Sequence, residues 1–197
     1  VALDAEPLGV VAIDDRLRPD APVALQRLRD QGLTLGMLSG DRRQAVEKIA
    51  RMLGFADDEL AWQLLPNQKL ERLEHWRTNE TVGMVGDGIN DAPALAAADL
   101  GIAVGTGTQI AQDTADLVLL GDRLEALPEA LTLARRTMAK IRQNLFWAFG
   151  YNMIALPVAA GALLPGFNLL LSPPLAALLM ALSSVSVVLN ALSLSVR

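Results

Sequence analysis

The last quarter of the chain carries almost no charge, and this limits what the chain can fold into more than any other feature. From Leu145 onward the only charged residue is Arg197. Leu145 to Leu164 and Leu175 to Val196 are apolar stretches, each long enough to cross a hydrocarbon layer of about 30 Å as a helix. A buried hairpin in a soluble protein is the alternative, but the preceding residues are too few to cover so much apolar surface. The pattern predicts an all-α two-helix transmembrane hairpin.

Basic residues crowd the entry to the first predicted span, whereas the connection Pro165 to Pro174 has no charge. By the positive-inside rule, residues 1–144 and the C-terminus are expected to be cytoplasmic, in a plasma or inner membrane. The same basic residues also fit a solvated helix face or a contact with anionic lipid. They are Arg135, Arg136, Lys140 and Arg142.

Short apolar runs alternate with amphipathic helical patterns in the rest of the chain, which is typical of an α/β parallel sheet with helices on both faces. All 22 acidic residues lie in this part, so the net charge of −5 indicates no nucleic-acid partner. The absence of cysteine excludes disulfides and thiolate metal sites. The predicted strands are Val10 to Ile13, Leu33 to Leu38, Val82 to Val85 and Leu100 to Val104, with Leu117 to Leu120 a further candidate, and the predicted helices are Ala21 to Arg29 and Arg43 to Leu53.

Two carboxylates and an amide follow the predicted strand Val82 to Val85, in the run Gly-Asp-Gly-Ile-Asn-Asp. Glycines allow a sharp turn there, and open parallel sheets bind ligands at the carboxyl ends of their strands. Asp87, Asn90 and Asp91 offer the hard oxygen ligands that Mg²⁺ takes when it keeps several waters and shares phosphate oxygens. A solvated turn is the alternative for any one of these residues.

A second polar group, Ser39-Gly40-Asp41, follows the predicted strand Leu33 to Leu38 and should lie at the same edge of the sheet. A helix beginning near Arg42 would direct its amide dipoles toward an anion there. Lys69 begins another helical pattern, where its ammonium group could reach a phosphate. Taken alone, Ser39-Gly40-Asp41 is typical of a turn and helix cap, and a single lysine such as Lys69 is typical of a solvated surface residue.

Together these motifs resemble the P-type cation-transporting ATPases, and specifically the C-terminal part of their heavy-metal subfamily. Gly86 to Asp91, followed by Ala92-Pro93-Ala94-Leu95, is the most specific match, and Ser39-Gly40-Asp41 stands where that family usually has Thr-Gly-Asp. The resemblance implies a haloacid-dehalogenase-like fold. It also implies four regions: 1–18, a hinge returning from a nucleotide-binding domain; 19–127, the phosphorylation domain; 128–144, a basic cytoplasmic connector helix; and 145–197, two transmembrane helices at about 145–164 and 175–196.

The resemblance further implies roles for the polar residues. Asp87 and Asp91 would ligate Mg²⁺, with Asn90 shaping the loop, while Ser39, Gly40, Asp41 and Lys69 would handle the phosphoryl group transferred from ATP. The chain has no Asp-Lys-Thr-Gly nucleophile motif and no upstream adenine site. We therefore expect the isolated chain to be inactive and its partners to include the missing upstream domains of the same polypeptide.

The spans carry the Tyr-Asn and Met-x-x-Ser-Ser patterns of monovalent copper pumps, and they lack the charged residues that zinc and cadmium relatives tend to carry. A thioether suits a soft ion such as Cu⁺ or Ag⁺, and uncharged ligands suit a monovalent cation. Membrane Met and Ser are also common packing residues. The residues predicted to line the copper path are Tyr151, Asn152, Met180, Ser183 and Ser184.

Two other functions are compatible with the sequence. The chain starts at Val1 without Met and reads as a fragment, but a naturally truncated membrane regulator or copper-binding protein is an alternative. A free-standing phosphatase using Asp14 or Asp15 is less favoured, because such sites need Asp-x-Asp and the chain has Asp-Asp-Arg-Leu there.

Overall fold

The computed structural model describes residues 2–3, 6–7, 17–87, 90–105, 113–121, 123–162, 164–167 and 172–194. The chain divides into two compact units, Val1–Pro128 and Glu129–Arg197. The elements of the first unit are β1 Ala2–Leu3, β2 Glu6–Pro7, α1 Ala21–Asp30, β3 Met37–Leu38, α2 Arg43–Leu53, a 3-10 turn Asp57–Glu59, β4 Leu60–Ala61, α3 Pro66–Arg77, β5 Gly83–Gly86, α4 Ala92–Ala97, β6 Leu100–Val104 and β7 Leu117–Leu119. They are followed by α5 Ala126–Ala159, α6 Leu164–Phe167 and α7 Pro173–Leu192.

The described strands after β2 pair in parallel. Strands β5, β6 and β7 form one sheet in that order, β3 pairs with β4 in a second, and β1 and β2 form an antiparallel pair. Because a parallel connection needs a crossover, α4 lies in sequence between β5 and β6. The predicted α/β fold of parallel strands alternating with helices is confirmed.

The core of the first unit lies between α3, β5 and α4. Leu73, Met84, Ala94 and Leu95 are buried and pack together there. The fit is tight beside β6, because a Cβ added at Gly101 would lie only 2.5 Å from the Leu95 carbonyl oxygen. This packing holds the carboxyl end of β5 next to the start of α4.

The helices begin and end where local sequence dictates. Pro66 occupies the first turn of α3, where its missing N–H costs nothing, and the Gln68 side chain accepts a hydrogen bond from the Leu65 amide at 2.9 Å. Gly54 ends α2 in the left-handed region, with φ of 70°. The start of α3 at Pro66 places Lys69 in the first turn of that helix.

The predicted strands agree with the structure to different degrees. Leu100–Val104 is a strand over its full predicted length. The strand predicted at Val82 begins one residue later, because the Val82 amide donates to Asp99 Oδ2 at 2.9 Å instead of joining the ladder. The prediction for Leu33 to Leu38 was too long, since only Met37–Leu38 pairs with β4. The predicted strand Val10 to Ile13, with Asp14 and Asp15, lies outside the described residues.

An ion pair joins the end of α3 to the segment before β6. Arg77 donates to Asp99 Oδ1 through Nη2 at 2.8 Å and Nε at 3.2 Å. The hydrogen bond from Arg77, reinforced by the Val82 amide, holds the pKa of Asp99 below its usual range. A carboxylate with a lowered pKa in the folded state stabilises the fold above its unfolded pKa of about 4 and loses that contribution as pH falls through the folded pKa.

Asp99→Asn is therefore expected to lower the thermal unfolding midpoint at pH 7 and to approach the wild-type midpoint as the pH falls below the unfolded pKa of about 4 and through the lowered pKa of the folded state, because the wild-type carboxylate then becomes protonated as well. Unfolding scans at pH 7, 5 and 3 measure this convergence. Asp58→Asn is the control, because Asp58 is exposed in the 3-10 turn. A gap between Asp99→Asn and wild type that stays constant with pH would contradict the proposed charge effect.

The second unit contains one described helix long and apolar enough to cross a membrane, Pro174–Leu192. The segment predicted as the first span is helical as far as Ala159 and belongs to α5, so the predicted connector 128–144 and the start of that span form one continuous helix. Its apolar side chains, including Phe146, Phe149 and Ile154, are exposed. Such a surface requires lipid or other apolar partners.

Polar side chains join α5 to the end of α7. Lys140 Nζ donates to Asn190 Oδ1 at 2.9 Å and to Ser193 Oγ at 2.7 Å, and Asn190 Nδ2 donates to Asn144 Oδ1 at 2.7 Å. Lys140 contacts Ser193, whereas Asn144, one turn later in α5, contacts Asn190, which is earlier in the chain than Ser193. The two helices therefore run antiparallel. The sequence did not predict this cluster.

Candidate functional site

The carboxyl end of β5 presents the two aspartates of the predicted magnesium loop. Asp87 directly follows Gly86, the last residue of the strand, and Asp91 precedes α4. The Asp91 side chain lies over Gly86, because a Cβ added at Gly86 would be 2.9 Å from Asp91 Oδ2 and 3.0 Å from Asp91 Cβ. Gly88 and Ile89 lie outside the described residues, and Asn90 is exposed just before Asp91.

Lys69 reaches this loop from α3. Its Nζ lies 2.7 Å from Asp91 Oδ1, and the side chains of Lys69 and Asp91 are only 14% and 15% exposed. A charge pair this sheltered from water is screened less by salt than a surface pair. The structure therefore brings together two predicted site residues that are 22 positions apart.

The Ser39 loop is held by its own side chains and by the segment after β4. The Asp41 amide donates to Ser39 Oγ, and Ser39 Oγ donates to Asp41 Oδ2, both at 3.1 Å. The Leu64 amide donates to the Ser39 carbonyl at 3.0 Å, and the Gln63 amide donates to the Asp41 carbonyl at 2.9 Å. These bonds set the orientation of the Ser39 hydroxyl at the end of β3.

The segment of residues 63–64 packs closely on this loop and has an unusual backbone conformation. A Cβ added at Gly40 would lie 3.3 Å from the Leu64 carbonyl oxygen, so the segment packs directly on the glycine. Gln63 has φ of 54°, a left-handed conformation that costs a non-glycine residue about 1 kcal/mol or more. The surrounding hydrogen bonds must hold this conformation.

The same segment links the two predicted groups of site residues. Leu64 contacts the Ser39 loop, Pro66 starts α3 two residues later, and Lys69 in the first turn of that helix pairs with Asp91. Strand β4 and its following segment were missed from the sequence. The alternation of large apolar residues at Leu60, Trp62 and Leu64 is the strand pattern that could have found them.

The carboxylates fit a magnesium ion better than a metal bound wholly by protein. The described residues hold no group of three or more His, Cys, Asp or Glu side chains that could form a complete metal site. Mg²⁺ usually takes one or two carboxylates and completes its shell with water and substrate phosphate. Asp87 and Asp91 offer such a donor set, although Asp91 Oδ1 is engaged by Lys69 and leaves Oδ2 facing Gly86.

The predicted copper-path residues lie on α5 and α7, and Tyr151, Asn152 and Ser184 each contact a residue one turn earlier on the same helix. Asn152 Nδ2 donates to the Ala148 carbonyl at 2.9 Å, and the Tyr151 ring lies 6.1 Å from that of Trp147. Met180 is 64% exposed, Ser183 is partly buried, and Ser184 Oγ donates to the Met180 carbonyl at 3.3 Å.

Residues 1–99 match the family model of the haloacid dehalogenase-like hydrolases. A probable copper-exporting P-type ATPase of Archaeoglobus fulgidus is 46% identical over 98% of the chain, and a silver exporting P-type ATPase of Salmonella typhimurium is 49% identical over all of it. The chain spans only 24% of the length of each relative.

A solved structure agrees with both the fold and this relationship. The crystal structure of a zinc-transporting PIB-type ATPase in the E2.Pi state superposes with a TM-score of 0.81 and 39% sequence identity, covering 97% of this chain and 30% of that one. The chain belongs to the haloacid dehalogenase-like hydrolase family, and its homologues over nearly its whole length are metal-transporting P-type ATPases.

Proposed function

We propose that this chain is the phosphorylation domain and last two membrane helices of an ATP-driven copper(I) exporter. The observation that carries the proposal is the sheltered Lys69–Asp91 pair beside Asp87, which gathers one cation and two carboxylates at the end of a parallel strand. This is the charge arrangement that phosphoryl transfer requires. The copper- and silver-transporting relatives support the same conclusion.

In this proposal, Asp87 and Asp91 hold Mg²⁺, and Asn90 shapes the loop that carries them. The ion, when bound, neutralises negative charge on the transferred phosphoryl group of ATP. Lys69 and the Gly40 amide donate to the phosphoryl oxygens, and the Ser39 hydroxyl joins them by turning its single O–H away from Asp41 Oδ2. The Asp41 amide donates to Ser39 Oγ and so holds the oxygen in place while its O–H turns toward the phosphoryl group.

The phosphorylated aspartate and the adenine site belong, on this proposal, to other parts of the full-length protein. The sequence contains no Asp-Lys-Thr-Gly motif. The isolated chain is therefore expected not to form a phosphoenzyme.

The register of α5 and α7 supports a shared depth for the copper-path residues. Tyr151 lies seven residues beyond Asn144, and Ser183 lies seven residues before Asn190, the partner of Asn144. Along straight antiparallel helices both residues lie about 10 Å from that contact. Met180 is about one helical turn deeper, and Asn152 and Ser184 lie within about 2 Å of the level of Tyr151.

The chemistry of these residues favours a soft monovalent ion. Leu145 to Val196 contains no charged side chain, whereas a divalent ion in a membrane is usually balanced by carboxylates. Methionine sulfur is a soft ligand that suits Cu⁺ or Ag⁺. Residues 1–144 and the C-terminus would then face the cytoplasm, because the basic residues precede the first span.

Met180→Leu in the full-length protein is expected to lower the apparent affinity for Cu⁺ about tenfold. Mutating residues that support a metal site typically lowers metal affinity by at least this factor. The volumes of Met and Leu are similar, so the fold should persist. Copper-dependent ATP hydrolysis and copper uptake into inverted membrane vesicles measure the effect.

Met153→Leu is the matched control, because Met153 is also exposed on a membrane helix but is turned about 200° from Tyr151. It should transport at close to the wild-type rate. Equal transport by Met180→Leu and Met153→Leu would remove Met180 from the copper path. If the wild-type protein shows no copper-dependent ATP hydrolysis, the proposed function itself is wrong.

A further inference from the structure

A cavity of about 310 Å³ lies at the polar end of the α5–α7 pair. Its volume is near the lower limit for small-molecule sites and suits a compact polar group better than a whole cofactor. Polar and basic side chains lie beside small apolar ones around it. The lining residues are Arg136, Ala139, Lys140 and Gln143 of α5 with Ser193 and Leu194 after α7.

The positive charge around this cavity has no acidic counterpart nearby in the sequence. From Ala130 to Arg197 the chain contains no Asp or Glu. Arg136 is exposed and Lys140 is partly buried, and both border the cavity. The one acidic residue of α5, Glu129, lies in the first turn of that helix, seven residues before Arg136. The cavity therefore favours an anion.

Lys140 is already oriented to hold such an anion. An ammonium group has three N–H donors, and Asn190 and Ser193 accept two of them. Asn190 is itself anchored by its hydrogen bond to Asn144, so the position of Nζ is set by both helices. One donor remains for a further acceptor at the cavity.

The depth of the cavity identifies the source of the anion. Lys140 lies five residues, or about 7 Å, before the start of the first apolar stretch at Leu145. Ser193 immediately follows the last residue of α7. Both positions fall where the apolar segments end, and the phosphate groups of a bilayer lie at this level, just outside the hydrocarbon core.

We propose that this cavity binds the phosphate of an anionic phospholipid from the cytoplasmic leaflet. Arg136 and Lys140 bind the phosphate oxygens, and the uncharged side chains of Ala139 and Leu194 complete the wall of the cavity around the headgroup. The bound lipid would bridge α5 and α7 at the cytoplasmic surface. This inference rests on the membrane insertion assumed in the proposed function.

Lipid titrations followed by native mass spectrometry test the site. The full-length protein, purified in a neutral detergent, is titrated with phosphatidylglycerol and, in parallel, with phosphatidylcholine. Arg136→Gln should weaken phosphatidylglycerol binding at the first site about fivefold, the equivalent of about 1 kcal/mol for one basic residue at a membrane surface. Arg142→Gln removes the same charge from the same helix but does not line the cavity, so it should change binding less than twofold.

Three results would overturn the inference. Equal weakening by Arg136→Gln and Arg142→Gln would show diffuse attraction to the basic helix, and equal binding of the two lipids would show that the site does not select an anionic lipid. Displacement of phosphatidylglycerol by millimolar inorganic phosphate would assign the site to a free anion. Alkaline carbonate extraction separates the two proposals: release of wild-type protein from membranes would contradict the proposed function as well, whereas retention confines the failure to the lipid site.

Discussion

Asp87→Asn in the full-length protein is expected to lower Mg²⁺-dependent phosphoenzyme formation by about 100-fold or more. Asp87 directly follows β5 and is one of the two carboxylates that the proposal assigns to the ion. Removing a residue that only hydrogen-bonds to a metal ligand lowers metal affinity or activity about 10- to 100-fold. Removing a direct ligand should therefore lower activity by at least the upper value. Asparagine keeps the size of the side chain but removes its charge. Phosphorylation by labelled ATP, followed by acid quenching, measures the level.

The magnesium dependence separates ligation from misfolding. If Asp87 holds the ion, raising the Mg²⁺ concentration should partly restore phosphorylation of Asp87→Asn, because a higher ion concentration increases the occupancy of a weakened site. Asp58→Asn makes the same change of charge at an exposed position of the 3-10 turn and should behave as wild type. Wild-type phosphorylation of Asp87→Asn at the usual Mg²⁺ concentration would remove Asp87 from this role.

The fold was predictable wherever local pattern and burial agree. Strand β6 is buried over most of its length between two parallel neighbours, so its apolar run from Leu100 to Val104 predicts its bounds. Helix α2 likewise has an apolar face and ends at a glycine. Strand β3 was not predictable to its ends, because pairing with the two residues of β4 decides where it stops.

The candidate site was predictable as a set of residues but not as a set of contacts. The glycines and carboxylates after β5 have a characteristic spacing, and Lys69 could be placed at the start of a helix. That Lys69 pairs with Asp91 depends on how α3 and α4 pack around Leu73 and Leu95, which periodicity along one segment cannot show. The hydrogen bonds from residues 63–64 to the Ser39 loop depend in the same way on β4, whose two-residue ladder is a weak signal.

Gly86→Ala is expected to lower phosphoenzyme formation about tenfold or more and to destabilise the first unit by about 1 to 3 kcal/mol. The added methyl group would lie 2.9 to 3.4 Å from three atoms of the Asp91 side chain, including its Cβ. Asp91 is too short to move only its tip, so its carboxylate must shift and the 2.7 Å contact with Lys69 must lengthen or break. One methyl group thus disturbs the charge arrangement without removing any charge.

Gly83→Ala is the matched control for this test, because both glycines lie on β5 and neither has a backbone that requires glycine. A Cβ at position 83 would meet its nearest neighbour, the Leu100 carbonyl oxygen, at an ordinary 3.7 Å. Gly83→Ala should therefore leave stability unchanged or raise it by about 0.5 kcal/mol, since Gly in a strand costs backbone entropy. Thermal unfolding and Mg²⁺-dependent phosphorylation of the full-length protein measure both variants. If Gly86→Ala matches Gly83→Ala in both assays, Asp91 need not occupy its position over Gly86. If Gly86→Ala unfolds at a lower temperature but phosphorylates normally, the contact supports the fold and the proposed magnesium role of Asp91 is wrong.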